Sequence, residues 1–148
     1  MSTRCRIGIQ NPNGTITSIY CHHDGYPAYV GKCLVDFYTD EDKIRKLMEL
    51  GDMSAIGTEP IDAGSDAWKL MAPHDDDACV TYKARGEECP ASTHYSLEQY
   101  YDDTGECWGE YAYLYKDGEW YIVQDDQTLI AVRDTQGYKT SGFFKVIN

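Results

Sequence analysis

The sequence predicts an α+β fold, a single domain in which a mostly antiparallel sheet carries two or three short helices packed on one face. The length of 148 residues fits one domain. Short β-prone runs bounded by turn residues open and close the chain, and two stretches with apolar residues every three or four positions lie between them. A hydrophobic content of 42% supplies a core.

The first third of the chain predicts a hairpin followed by two helices. Residues 6–10 and 16–22 are β-prone and are separated by Asn11-Pro12-Asn13-Gly14, so residues 1–23 form the N-terminal hairpin. The apolar spacing predicts one helix over residues 27–38 and a second that Thr39 caps and Gly51 ends, which together make a helical segment over 27–50.

The middle of the chain has weaker patterns. Residues 52–77 read as a long loop because glycines and prolines interrupt them, and Trp68, Leu70 and Met71 are its expected anchor. A strand over residues 78–85 and a brief helix over 96–102, capped by Ser96, follow.

The last third predicts an aromatic-rich sheet, which we assign to residues 78–148. Two aromatic strands, 111–115 and 119–123, flank Lys116-Asp117-Gly118 and form a hairpin with a tight turn. Further strands are expected over 129–133 and 143–147. In the first of these four strands the three tyrosines share one side and Ala112 and Leu114 the other.

Charge provides the first indication of function. The formal net charge is −12, and the segment from Glu98 to Asp126 holds nine carboxylates against the single cation Lys116. Phosphate is repelled by such a field, so direct nucleic-acid binding is not expected. The same field favours encounter with a basic groove on another protein, although acidity also serves solubility alone.

The acidic segment also carries many of the aromatic residues. Tyrosine is common at protein interfaces, and cross-strand aromatic pairs also stabilise sheets without binding anything. Taking the first interpretation, we predict a partner-binding face that consists of Glu110, Tyr111, Tyr113, Tyr115, Asp117, Trp120, Asp125 and Asp126.

The six cysteines have neither the pairing nor the spacing of a metal site. No two are closer than Cys79 and Cys89, so reduced thiols are expected, and no metal or other cofactor is predicted. The runs Cys21-His22-His23-Asp24 and His74-Asp75-Asp76-Asp77 are the two places considered for a cation. A nucleophile and base at Cys21 and a neighbouring histidine would need a geometry that adjacent residues rarely reach, so catalysis is not expected.

The junction between the second strand and the first helix offers a different site. Helix N-termini receive anions, and cationic and aromatic side chains lie nearby in sequence. The alternative prediction is a nucleotide pocket, set against a packed turn with His23 in the core. Its lining would be Arg4, Arg6, His22, His23, Tyr26 and Lys32.

The N-terminal block also has a family resemblance. The opening Met1-Ser2-Thr3-Arg4 and, above all, Tyr20-Cys21-His22-His23-Asp24-Gly25-Tyr26-Pro27 followed by Val30-Gly31-Lys32 resemble a family of small bacteriophage and prophage proteins. The resemblance extends through Leu50-Gly51-Asp52, about the first third of the chain. It implies a small accessory protein of phage type and, with it, antagonism of a bacterial defence system.

The leading hypothesis is a non-catalytic inhibitor of anti-CRISPR type, whose acidic face blocks a basic groove of a host defence protein. The alternatives are a sponge for a nucleotide immune signal and an enzyme of unknown chemistry. No apolar run is long enough for a membrane span, and residues 1–10 lack the apolar segment of a signal peptide, so the expected location is the cytoplasm of a bacterial host cell.

Overall fold

The two N-terminal strands form the predicted hairpin. In the computed structural model, which describes residues 2–69 and 77–143, β1 spans Arg4–Gln10 and β2 spans Ile16–Cys21. The strands pair antiparallel, with Ile7 opposite Ile19. Gly14 adopts a positive φ of 88° in the turn, a conformation that glycine reaches without strain.

The predicted helices follow the hairpin. A π-helical turn, Pro27–Gly31, leads directly into α1, Lys32–Phe37, and α2 spans Glu41–Glu49. The expected cap of α2 was wrong by one residue, because the carboxylate of Asp40, not Thr39, accepts a hydrogen bond from the N–H of Asp42 at 3.2 Å. Asp and Thr are both good caps, so sequence alone does not separate adjacent ones.

The predicted long loop contains regular structure. It includes β3, Met53–Ala55, and α3, Asp66–Lys69. The predicted strand over 78–85 is reduced to β4, Val80–Thr81, and a 3₁₀ turn, Lys83–Arg85. Trp68 does anchor this region, since its indole N–H donates to the carbonyl of Thr81 at 3.0 Å. The predicted anchors Leu70 and Met71 lie outside the described residues.

The remaining elements agree largely with expectation. β5, Ser92–His94, was not predicted, whereas α4, Leu97–Glu106, begins at the predicted cap Ser96. The aromatic hairpin is confirmed, with β6 at Gly109–Lys116 and β7 at Glu119–Val123. β8 spans Leu129–Ala131 and α5 spans Gln136–Thr140. Of the strand expected over residues 143–147, all but Phe143 lies outside the described residues.

All eight of these strands belong to one mixed sheet. Its order is β4-β3-β2-β1-β6-β7-β8, and β5 also pairs with β2. The pairs β1–β6 and β2–β3 are parallel, and the other strand pairs are antiparallel. The sheet is therefore mostly antiparallel, as predicted, and the two long hairpins join through the parallel contact between β1 and β6.

Helices cover both faces of this sheet. The larger core contains Cys5, Ile7 and Ile9 of β1, and α1 and α2 pack over it. The smaller core lies on the opposite face, where Tyr100 of α4 packs with Leu114. The α+β single domain is thus confirmed, with α4 added on the face that the prediction left uncovered. No helix in the described part of the chain has the length and apolarity that a bilayer crossing requires.

Candidate functional site

An acidic helix face is the most prominent charged feature of the surface. Glu98, Asp102 and Glu106 of α4 follow one another at intervals of four residues, and all three are exposed. Residues four apart share one side of a helix, and like charges at this spacing repel. Among the described residues no lysine or arginine forms an ion pair with any of the three.

Two exposed aromatic residues stand at the ends of this helix. Tyr95 is 74% exposed and precedes the cap, and its N–H donates to the side-chain carbonyl of Gln99 at 2.8 Å. Trp108 is 78% exposed and follows the last turn, with a positive φ of 63°. Large exposed aromatic side chains are enriched at protein interfaces. We call this surface the α4 acidic face, defined by Tyr95, Glu98, Asp102, Glu106 and Trp108.

The α4 acidic face includes a position that is unfavourable for helix stability. Glu106 lies in the last turn, where the helix dipole favours cations, and the last turn of α4 contains no basic residue. Carboxylates at this spacing and at this end reduce the stability of the helix. The charge pattern is therefore not explained by the needs of the fold.

The predicted partner-binding face was wrong for its central aromatic residues. Tyr113 is 0% exposed and Trp120 is 3% exposed, so neither is available to a partner. The reason is the parallel pairing of β6 with β1, which places Tyr113 beside Ile7 and turns the tyrosine side of β6 toward the larger core. Tyr111 and Tyr115 are half-buried against the same core.

Hydrogen bonds to backbone carbonyls hold these buried aromatic side chains. The Tyr113 hydroxyl donates to the carbonyl of Gly25 at 2.6 Å, and the indole N–H of Trp120 donates to that of Tyr38 at 2.8 Å. Both polar tips are thus satisfied inside the protein, which is the usual condition for burying tyrosine and tryptophan.

The acidic members of the predicted face divide between the two ends of the β6–β7 hairpin. Glu110 is the second residue of β6, and Asp125 and Asp126 follow β7, so antiparallel pairing places these three exposed carboxylates at one end. Asp117 occupies the turn at the other end. Glu110 follows the α4 acidic face in the chain, because α4 leads into β6 through Trp108.

Local hydrogen bonds keep one of these carboxylates ionised. The hydroxyl and N–H of Thr128 donate to Asp126 at 2.6 and 3.0 Å and hold the pKa of this carboxyl below its ordinary value. The loop therefore presents a negative charge at every physiological pH.

A second candidate site is cationic and lies on the sheet face that α4 covers in part. Arg6 of β1 is paired with Tyr20 of β2, and Arg4 stands two residues before Arg6 on the same strand. Alternate residues of a strand share a face, so Arg4, Arg6 and Tyr20 project from the same side of the sheet, and the contact between Tyr20 and His22 adds His22 to this group. We call this group the arginine square.

The arginine square has few protein partners. Arg6 donates from Nη1 to the hydroxyl of Ser18 at 3.0 Å, whereas its Nε is buried without an acceptor. Within residues 2–69 and 77–143, neither Arg4 nor Arg6 forms a salt bridge. This is unexpected in a chain that contains 25 carboxylates.

Tyr20 and His22 complete the square through a contact of their own. The Tyr20 hydroxyl lies 2.6 Å from Nδ1 of His22. Burial, with Tyr82 nearby, raises the pKa of Tyr20 to about 12. Burial, with His23 and Arg4, lowers the pKa of His22, so the imidazole is neutral at pH 7.

The structure brings together some of the residues predicted for the alternative nucleotide pocket. Arg4 acts electrostatically on His22, Arg6 lies on the same side of β1 as Arg4, and the ring centroids of His22 and His23 are 4.6 Å apart. Lys32 does not join them, because α1 packs on the opposite face of the sheet, where its ammonium group pairs with Asp36 at 2.8 Å.

Tyr26 and the expected core position of His23 need correction as well. The hydroxyl of Tyr26 is directed to the carboxylate of Asp24, at 3.4 Å, and its ring packs on Tyr29 and Phe143. His23 is exposed, with Nδ1 3.0 Å from the hydroxyl of Ser2. Tyr26 is therefore held by Asp24, Tyr29 and Phe143, whereas His23 stays beside His22 but at the exposed surface.

A third arrangement was missed by sequence analysis. Oγ of Ser18 lies 2.6 Å from Nε2 of His94, whose Nδ1 lies 2.7 Å from Oδ2 of Asp103. This is the connectivity of a hydrolase triad. However, Ser18 is 0% exposed and the Asp103 side chain is 31% exposed, the reverse of what a nucleophile requires. We therefore interpret the chain of hydrogen bonds as a structural link between β2, β5 and α4.

Neither run considered for a cation gathers a set of metal ligands in the described residues. Across residues 2–69 and 77–143, no group of three or more His, Cys, Asp or Glu side chains is arranged to hold a metal ion. In the second run, His74, Asp75 and Asp76 lie outside the described residues. All six cysteines are free thiols.

Comparison with protein-family models, with curated proteins and with solved structures finds no match to this chain.

Proposed function

We propose that this protein is a non-catalytic antagonist that docks its α4 acidic face on a basic surface of another protein. The single observation that carries the proposal is the outward stripe of Glu98, Asp102 and Glu106 between two exposed aromatic side chains. Glu106 in the last turn and the like-charge spacing of the three carboxylates are both unfavourable for the helix, so the needs of the fold do not account for them.

Charge complementarity determines the kind of partner. A basic groove that binds nucleic acid carries lysines and arginines spaced for phosphates, and carboxylates along a helix offer the same sign of charge. Tyr95 and Trp108 add apolar contact area, which supplies affinity that charge alone does not. Glu110, Asp125 and Asp126 extend the same field beyond the end of the helix.

The biological setting of the proposal comes from the N-terminal resemblance to phage and prophage proteins. In that setting the partner is a bacterial defence protein with a nucleic-acid groove, and the site of action is the cytoplasm of the host cell. The docking and the setting are separable, so a partner of another kind would leave the α4 acidic face as its binding site.

The experiment compares three forms of the protein as bait in a bacterial lysate. The wild type is matched with an E98K/D102K/E106K variant and with a control, E41K/E49K/E88K, which has the same change in charge at exposed positions elsewhere. We expect a basic protein that the wild type and the control capture and the α4 variant does not. Capture should weaken as salt concentration rises.

A second arm tests the antagonist activity directly. The captured protein, once purified, is measured for nucleic-acid binding in the presence of each of the three forms. We expect the wild type and the control to displace the nucleic acid and the α4 variant to fail. If all three forms capture the same proteins or compete equally, the α4 acidic face is not the docking site.

A further inference from the structure

We propose that the arginine square binds the phosphate of a mononucleotide and that the adjacent rings of Tyr82 and Trp68 contact its base. This goes beyond the docking function, and it uses residues outside the α4 acidic face. The geometry that supports it is the projection of Arg4, Arg6 and Tyr20 from one side of the β1–β2 hairpin, with His22 in contact with the hydroxyl of Tyr20.

Arg4 and Arg6 carry positive charges that form no salt bridge with a described carboxylate. Arg4 and Arg6 are two residues apart on one strand and are both partly buried, so their charges repel in a region of reduced dielectric. Asp52 is a described carboxylate that senses Arg6: burial raises its pKa, and the hydrogen bond from the N–H of Tyr20 and the charge of Arg6 oppose the rise. A bound anion relieves the repulsion, and a phosphate matches the donor pattern of guanidinium groups.

The guanidinium group of Arg6 has an N–H donor that no described protein group accepts from. A guanidinium group has five N–H donors, and in Arg6 one of them has an acceptor, the hydroxyl of Ser18. That bond holds the side chain in place, while Nε remains buried without an acceptor. A small shift of the Arg6 side chain toward a ligand oxygen would satisfy it.

The aromatic rings of Tyr82 and Trp68, which lie beside the arginine square, are the expected contact for the base. Asp52 lies between Tyr82 and Tyr20: its carbonyl accepts from the N–H of Tyr82 at 3.3 Å, and its carboxylate accepts from the N–H of Tyr20 at 2.9 Å. The ring of Tyr82 is 5.5 Å from that of Trp68, and Arg85 lies over Trp68 at 4.1 Å. Rings and arginine planes are the surfaces on which bases stack. The square and the rings together therefore match a ligand that has one phosphate and one base.

The overall charge of the protein selects a small ligand over a polymer. At a net charge of −12, every phosphate beyond the first meets a repulsive field, and two unpaired arginines do not neutralise a chain of phosphates. A mononucleotide has its phosphate at the square and little charge elsewhere. Single-stranded nucleic acid is therefore expected to bind more weakly per nucleotide than the monomer.

The test uses adenosine monophosphate as the probe and isothermal titration calorimetry on the full chain. The affinity for inorganic phosphate measures binding at the arginine square alone, and the affinity for adenosine measures binding at the rings alone. The affinity for a short single-stranded oligonucleotide measures binding of a polymer. We expect the monophosphate to bind more tightly than phosphate or adenosine. Arg4→Gln should weaken it by about tenfold or more, because a charge-assisted hydrogen bond is lost.

Matched variants separate the two halves of the site. Arg133→Gln makes the same charge change at an exposed arginine of another region, where it pairs with Glu119, and should leave the affinity unchanged. Tyr82→Leu should weaken binding of the monophosphate while leaving that of inorganic phosphate intact. Arg4→Lys, which keeps the charge and loses the planar donor pattern, should fall between the wild type and Arg4→Gln.

A nuclear magnetic resonance titration of the wild-type protein tests the proposal without relying on the folding of any variant. Titration with the monophosphate should shift the backbone amide resonances of β1 and β2 in a two-dimensional nuclear magnetic resonance spectrum, and those of α5 should stay in place. An absence of shifts at millimolar probe, or equal affinity of wild type and Arg4→Gln, would overturn the proposal. The docking function would be untouched by that result, because its variants lie on α4.

Discussion

Nδ1 of His94 lies 2.7 Å from Oδ2 of Asp103, and through this contact α4 is bound to the sheet. The other ring nitrogen faces the hydroxyl of Ser18 at 2.6 Å, and Arg6 donates to the same hydroxyl. A neutral imidazole satisfies both neighbours, with one N–H for the carboxylate and one lone pair for the hydroxyl. The helix that carries the acidic face is thus held by a network that depends on the protonation state of His94.

We expect the stability of the protein to fall in mild acid because of this network. Burial lowers the pKa of His94 below its ordinary 6.5, with Arg6 acting in the same direction and the hydrogen bond with Asp103 opposing it. The unfolded chain therefore takes up the proton at higher pH than the folded protein does. The contribution of His94 is complete above about pH 6.5 and is lost as the pH falls toward the folded pKa.

The measurement is urea unfolding of the wild type and of His94→Gln at about pH 7.5 and about pH 5.5. The free energy of unfolding should fall more steeply with acid in the wild type than in the variant, which has no imidazole to protonate at this position. An equal loss in both proteins would show that His94 does not contribute to the pH dependence.

Tyr113→Phe should destabilise the protein by about 1–3 kcal/mol, because the buried carbonyl of Gly25 loses its donor while the aromatic ring remains. Tyr121→Phe, at a half-buried position on β7, serves as the control and should change the free energy of unfolding by less than about 0.5 kcal/mol. Chemical denaturation of both variants checks this. Equal changes in the free energy of unfolding of the two variants would mean that the hydrogen bond of Tyr113 does not contribute measurably to stability.

Two glycines should respond to alanine with opposite signs. In α4, a Cβ on Gly105 meets nothing within 4 Å, so Gly105→Ala should stabilise the protein by about 0.4–1 kcal/mol. A Cβ on Gly57 would overlap the backbone of Ala78, and Gly57→Ala should destabilise by about 1–3 kcal/mol. Thermal unfolding of the two variants tests both signs, and a stabilising Gly57→Ala would contradict the packing described for this loop.

Charge reversal at the two ends of α4 should separate stability from docking. Glu106→Lys puts a cation in the last turn and should stabilise the protein by about 0.3–1 kcal/mol, whereas Glu98→Lys removes an anion from the first turn and should destabilise it by a similar amount. Both reversals should weaken capture of the basic partner. If capture instead changes in parallel with stability, so that Glu106→Lys retains the partner and Glu98→Lys loses it, then the charges of α4 affect binding only through the stability of the fold.

Local sequence signals predicted the elements whose causes are local. The turn residues Asn11-Pro12-Asn13-Gly14 and Asp117-Gly118 specify their hairpins, and Ser96 caps α4 where expected. β3 and β5 were missed because three-residue strands have no periodicity to detect, and they form only where β2 offers its free edge.

The residues of the candidate sites were grouped correctly in space only where strand alternation decides their side. Arg4 and Arg6 were expected to lie together, and alternation along β1 places them on one side, whereas His22 joins them through its contact with Tyr20. Tyr20, which faces Arg6, was missed as a site residue, although the same register would have found it. Lys32 was included from proximity in sequence, which does not show on which face of the sheet a helix packs.

The amino-acid order alone determined the class of fold, the long hairpins, the cap of α4 and the concentration of carboxylates between Glu98 and Asp126, since these depend on neighbours in the chain. The tertiary structure alone decided which core each side of β6 joins. Parallel pairing with β1 placed Tyr113 against the core, and α4 covered Leu114 on the other side. The sequence of a strand with aromatic residues on one side and aliphatic residues on the other does not show which side is buried, because burial of either side is favourable. The answer depends on which elements pack against each side.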